Sequence, residues 1–152
     1  MKTTYVWLPV VIVSSFIAGT LVPIGRAQQT LKKPPKYVEV DYMKAAPGHE
    51  NEYMKLEQEQ WKPIHAERIK QGKVRSWYFF EVRFPSGTES KYDFVTVNTF
   101  DQFGQMENPY GDFDQLIRKV HPGMNLDDFG SRTNKARDLV RSEVWELIDQ
   151  IE

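Results

Sequence analysis

The segment from Tyr37 to Phe100 constrains this chain more than any other part of it, because its hydrophobic period changes from two to 3.6 and back again. Tyr37-Val-Glu-Val-Asp-Tyr-Met-Lys44 alternates, with Val38, Val40 and Tyr42 on one side and Glu39 and Asp41 on the other, which predicts a half-buried strand. Ala45 to Gly48 reads as a turn, with Pro47 placed to open a helix that runs to about Gln71 and stops at Gly72. At about 100° per residue, Tyr53, Leu56, Gln60, Trp61 and Ile64 share one side of that helix. Glu52, Lys55, Glu59, Lys62, Ala66 and Lys70 share the other. Pro63 cannot donate a backbone hydrogen bond and crowds the carbonyl of Glu59, so a kink is expected there. Lys73 to Phe84 alternates again as a long strand, Pro85 to Ser90 reads as a hairpin loop, and Tyr92 to Phe100 is the returning strand. Both faces of this hairpin carry aromatic or β-branched groups, so each face needs a cover.

The rest of the chain completes the arrangement. After Asp101 the pattern is helical but interrupted by Asn108-Pro109-Tyr110-Gly111. Asp112 is placed to cap a short helix ending near Val120, before His121-Pro122-Gly123. Asn125-Leu-Asp-Asp128 resembles a capping box and opens a second helix to about Asp138. Leu139 to Ile151 alternates and is expected to be the last strand. The order β-α-β-β-(α)-α-β predicts an α+β, ferredoxin-like split β-α-β fold, with a four-stranded antiparallel sheet and helices on one face. The other face would present a row of aromatics, and a twofold homodimer with its two sheets face to face is the economical cover.

A chain of 152 residues holds one such domain. The expected organisation is a signal peptide over 1–27, an extended lead-in over 28–36 containing Pro34-Pro35, and the domain over 37–152. Lys2 supplies the positive end, Val10 to Gly19 the apolar region, and Gly25-Arg26-Ala27 the small-x-small site before Gln28. Export to the periplasm or the medium follows, without stable membrane insertion after cleavage. The alternative is an uncleaved N-terminal anchor, since Tyr5 to Gly25 is long enough to span a bilayer. Loss of Lys2 and Arg26 takes the net charge from -1 to -3. No basic stripe suggests a nucleic-acid partner. The absence of cysteine excludes disulfides, thiolate catalysis and Cys-ligated metal.

The residues Tyr37-Val-Glu-Val, then Pro47-Gly48-His49-Glu50-Asn51-Glu52-Tyr53, then the long helix and aromatic hairpin, resemble the dimeric α+β barrel superfamily. That group includes antibiotic-biosynthesis-monooxygenase-like and NIPSNAP-like proteins. The resemblance covers Tyr37 to Phe100. It implies a dimer with a pocket between helix and sheet, and aromatic or haem-like ligands. Haem-degrading members use an Asn, a Trp and a His, and none of those roles is assigned to a residue here. The helical region 101–138 is longer than compact members need.

Candidate site residues follow from the helix and the hairpin. Glu57 and Arg68 project at the centre of an otherwise apolar face and need partners if buried. They either form the polar base of a ligand pocket or pair with the sheet, for example with Arg75 or Glu81, or across a dimer. His65 lies one turn after Trp61 at the edge of that face, as a general base or haem ligand in the functional version and as a packing histidine in the structural one. Trp77, Tyr78 and Asn98 complete the expected pocket lining. His121 suits a helix C-terminus and His49 is expected to be solvated. There is no His-x-His, His-x-x-x-His, Gly-x-Ser-x-Gly or glycine-rich phosphate loop, so no metal is expected. The residues point to an exported dimeric barrel that binds a small apolar or aromatic ligand without chemistry and without a cofactor. The alternative is a cofactor-independent monooxygenase-like or haem-handling enzyme using His65.

Overall fold

The computed structural model describes residues 33–84 and 91–151. The expected signal segment 1–27 and the loop 85–90 lie outside the described residues. Four strands, β1 (Tyr37–Ala45), β2 (Ser76–Glu81), β3 (Phe94–Phe100) and β4 (Arg137–Glu146), form one antiparallel sheet in the order β2-β3-β1-β4. Four helices, α1 (Glu50–Leu56), α2 (Lys62–Lys70), α3 (Phe113–Val120) and α4 (Leu126–Ala136), cover one face of it. This is the α+β, ferredoxin-like arrangement expected from the order of periodicities.

The long helix differs from the sequence expectation in its middle and at its start. Between α1 and α2 the chain widens into a π-turn over Glu57–Trp61, where the Lys62 N–H bonds the Glu57 carbonyl five residues back. Pro63 falls in the first turn of α2, which continues directly from the π-turn, so its missing N–H removes one bond to the preceding turn, and the irregularity expected at Pro63 includes this wide turn. The helix also starts later than Pro47, because the Ala46 carbonyl first closes a turn on the His49 N–H at 2.8 Å. It stops where Gly72 adopts φ +69°, a left-handed conformation that a side chain would strain.

Two strands are shorter than their alternation suggests. β2 is an edge strand and pairs only with β3, so it is as long as β3 allows: Ser76 lies opposite Thr99 and Glu81 opposite Phe94. β4 ends at Glu146 rather than Ile151 because its partner β1 runs back into Pro34-Pro35, which have no N–H to continue a ladder. The carbonyl of Lys36 still accepts from Leu147 N at 2.8 Å.

The two later helices are specified locally. The Asp112 carboxylate accepts from Gln115 N at 3.0 Å and the Asn125 amide oxygen from Asp128 N at 2.8 Å, so each opens on its predicted cap. Asp112→Ala and Asn125→Ala are each expected to cost about 1 kcal/mol of stability, read from the urea midpoint. Changes below about 0.3 kcal/mol would show that these helices are held by packing alone.

Pairing fixes which side chains face the helices. Trp77, Asn98, Glu39 and Val144 form one row across the inner face, and Phe79, Thr96, Asp41 and Ser142 form the next. The charged side of β1 therefore turns toward the helices, and Val38, Val40 and Tyr42 turn away. The apolar core sits at two ends of the layer. One cluster joins Met43, Ala45, Tyr53, Leu56, Phe94 and Ala136. The other joins Ile64, Leu116, Ile117 and Phe129. Between them the layer is polar. On the outer face Tyr78 and Phe80 are 48% and 52% exposed.

Candidate functional site

The polar part of the layer is organised by Arg68, which is 0% exposed. Its Nε donates to the Pro109 carbonyl at 2.9 Å. Its Nη1 donates to His65 Nδ1 at 2.7 Å and to Asn98 Oδ1 at 3.2 Å. Its guanidinium lies 3.8 Å from the centre of the Tyr110 ring. Asn98 in turn donates from Nδ2 to Glu39 Oε2 at 3.0 Å. Arg68 is thus held by a ring, a carbonyl, an imidazole and an amide rather than by a carboxylate. The sheet residues expected as ion-pair partners are engaged elsewhere: Arg75 meets Asp101 at 2.7 Å, and Glu81 meets Arg83 at 2.8 Å. Arg68 Nη2 is buried and has no partner.

His65 is fixed on both faces. Its ring stacks on Trp77 at 4.8 Å between centroids with an angle of 10°, and on Trp61 at 5.7 Å with an angle of 25°. Because Arg68 donates to Nδ1, that nitrogen carries no proton and the neutral ring holds its hydrogen on Nε2. Burial, then the adjacent guanidinium, pushes the His65 pKa down to about 2. A haem ligand needs an open nitrogen and a ring free to meet iron. His65 is 4% exposed, enclosed by two indoles and bonded at Nδ1, and does not fit that role.

Glu57 stands apart from this network. It lies eleven residues before Arg68, roughly 16 Å along a helix axis, so the two do not pair. Tyr53 Oη donates to Glu57 Oε1 at 2.7 Å, while Oε2 is buried without a partner. Burial raises the Glu57 pKa to about 7, against the opposing effects of the Tyr53 hydrogen bond and the Arg137 charge. The Tyr53 hydroxyl is driven up as well, by burial first and then by the neighbouring carboxyl. Asp41 lies within electrostatic reach of both Glu57 and Arg68 and links the two halves of the layer. It accepts from Ser142 Oγ at 2.6 Å.

Of the seven residues expected to line a pocket, the structure gathers Trp61, His65, Arg68, Trp77 and Asn98. Trp61 joins this group to the helices, packing on Phe129 at 4.8 Å and donating from Nε1 to Thr133 Oγ1 at 3.3 Å. Glu57 occupies the neighbouring half of the layer. Tyr78 faces the opposite side of the sheet, because it alternates with Trp77. Trp77 Nε1 is buried and unpaired.

Glu39, Asp41, Tyr53 and Tyr110 belong to the layer and are not singled out by sequence reasoning. The alternation of β1 isolates Glu39 and Asp41 on one face but does not say that this face turns inward. Tyr110 reads only as part of a turn. The other histidines are structural. His121 Nε2 donates to the Gln60 carbonyl in the π-turn at 2.9 Å, and His49 is exposed and hydrogen-bonded to Glu52.

Among the described residues no group of His, Cys, Asp and Glu is arranged to hold a metal ion. None of their helices is long and apolar enough to cross a membrane. No protein-family model matches the chain, and comparison with curated proteins gives no match.

Proposed function

We propose that this protein is a ligand-binding member of the dimeric α+β barrel group that takes a small apolar or aromatic molecule between the long helix and the sheet, without chemistry of its own. One observation carries this reading. The buried Arg68 network is walled by Trp61, Trp77 and Tyr110, and it retains hydrogen-bonding atoms that the protein does not satisfy. Natural interiors rarely leave such atoms open, because each costs about 1–3 kcal/mol unless something meets it.

The outer sheet face supports a second copy of the chain as partner. Tyr78, Phe80 and Trp145 are exposed there beside Val38, Val95 and Val97, and two such faces packed together would bury them all. The signal-like pattern of 1–27 supports export to the periplasm or the medium, with Gln28 as the first residue of the mature protein. The enzyme alternative, a cofactor-independent oxygenase or haem-handling protein using His65, draws less from this site. His65 is neutral, its Nδ1 is engaged, and both ring faces are stacked.

Two measurements test the reading. Naphthalene is expected to quench indole fluorescence saturably in the mature protein, and to the same extent in Phe80→Ser, whose change lies on the outer face. A linear, non-saturating response, or one lost in Phe80→Ser, would remove the pocket from the layer. Light scattering is expected to give twice the chain mass, and a monomer at micromolar concentration would sink the barrel.

A further inference from the structure

We infer that the groove between α1 and α4 is a second binding site, separate from the helix–sheet layer, and that it takes a monoanionic carboxylate carrying an apolar chain.

The groove has a volume of about 620 Å³, within the usual range for small-molecule sites. It runs beside α1 from His49, the N-cap, to Gln60 in the π-turn, roughly 16 Å of helix axis. Leu56 and Ala136 form its floor. They are 8% and 5% exposed and belong to the apolar cluster around Tyr53. The rim is charged, with Glu52, Lys55 and Glu59 on one side and Arg132 and Lys135 of α4 on the other.

Charge selects the head of the ligand. The carboxylates of the rim are already engaged: Glu52 with His49, and Glu59 with Lys55 at 3.9 Å. Arg132 and Lys135 are exposed, and neither side chain has an ion-pair or hydrogen-bond partner among the described residues. With His49 neutral, three cations therefore face two carboxylates, an excess of one. A single negative charge balances it. A dianion would set its second charge beside Glu52 and Glu59, and a cation would add to the excess.

Spacing selects the kind of anion. Arg132 and Lys135 are three residues apart on one helix face, with Cβ atoms about 5–6 Å from each other, so both heads reach one group. The guanidinium fork matches the two oxygens of a carboxylate, and the ammonium adds a further donor. The chain behind that head then lies on Leu56 and Ala136, beside the aliphatic stem of Lys55.

Four probes separate head from chain: octanoate, octanol, octylammonium and acetate. Each is titrated into the mature protein while the backbone amides of Leu56, Lys135 and Ala136 are followed by NMR. Octanoate is expected to shift them saturably and to bind at least about tenfold more tightly than any of the other three. The double variant Arg132→Gln, Lys135→Gln is expected to bind octanoate about tenfold more weakly and octanol as before, with an unchanged urea midpoint because neither side chain has a partner to lose. Lys70→Gln, on α2 and outside the groove, is expected to leave octanoate binding as it is. Octanol binding as tightly as octanoate, or full octanoate affinity in the double variant, would overturn the proposal. Acetate binding as tightly as octanoate would reduce it to an adventitious ion only. Absence of a saturable shift with every probe would remove the site while leaving intact the reading of the helix–sheet layer, which naphthalene tests.

Discussion

Arg68→Met is expected to lower the stability of the domain by about 3–5 kcal/mol, a fall in Tm of roughly 10–20 °C. The guanidinium is fully buried and serves four groups at once. Its removal strands the Pro109 carbonyl, His65 Nδ1 and Asn98 Oδ1, and leaves the Glu39 and Asp41 carboxyl groups facing one another without a nearby cation. Arg68→Lys is expected to recover little of this, because an ammonium cannot reproduce the planar fork or the stack on Tyr110. Arg75→Met provides the contrast. Arg75 pairs with Asp101, whose side chain is 57% exposed, so the cost there should stay within about 1 kcal/mol. Urea unfolding of the three variants beside the parent decides the matter. A midpoint for Arg68→Met close to that of Arg75→Met would mean that the network is incidental to the fold.

The second large effect is a dependence on pH in which two buried groups oppose each other. The ordinary pKa of His65 is 6.5, and in the fold it is held at about 2. Between those values the unfolded chain binds a proton that the folded chain does not, so this group lowers stability as pH falls below 6.5. Glu57 behaves in the opposite sense. Its ordinary pKa is 4.5 and the fold raises it to about 7, so the folded chain holds the extra proton and loses stability as pH rises from 4.5 to 7. The two slopes, each about 1.4 kcal/mol per pH unit at most, run against each other between 4.5 and 6.5.

The parent protein should therefore show nearly constant stability over that window and a steep loss below 4.5, where Glu57 no longer opposes His65. Glu57→Gln keeps an acceptor for Tyr53 and removes the opposing titration. In that variant stability should fall by about 3 kcal/mol from pH 6.5 to 4.5, a change in Tm on the order of 10 °C. Glu39, also raised by burial and then by Asp41, reduces this fall but does not reverse it. A profile for Glu57→Gln as flat as that of the parent would show that His65 is not held neutral in the fold.

Both effects come from polar residues placed where a purely apolar face would be simpler. Glu57 and Arg68 are eleven residues apart, about 20° around a helix at 100° per residue, and both are buried. The 100° projection identifies these two as buried charges, because each falls among Tyr53, Leu56 and Ile64. It cannot say whether they meet each other, since that depends on how the helix rises across the strands. The structure gives them separate partners: Tyr53 for Glu57, and His65, Asn98, Pro109 and Tyr110 for Arg68.

What the sequence by itself determined is local. The alternation of β1, β2 and β3, the amphipathic helix, the caps at Asp112 and Asn125, and the stop at Gly72 are all set by residues within a few positions of one another. Together they specify the order of elements and hence the split β-α-β sheet. The tertiary structure decided which way each face points and what meets across the layer. Glu39 and Asp41 could have faced water, but β1 lies at the centre of the sheet between β3 and β4, and its register brings Glu39 opposite Asn98. Trp77 and Tyr78 are neighbours in the chain, yet one stacks on His65 and the other lies on the far face, because a strand sends successive side chains to opposite sides. Tyr110 comes 42 residues after Arg68, and only packing of the 101–112 segment against α2 brings its ring under the guanidinium. Contacts of that kind join residues whose separation in sequence carries no period, so they become visible only when the chain has folded.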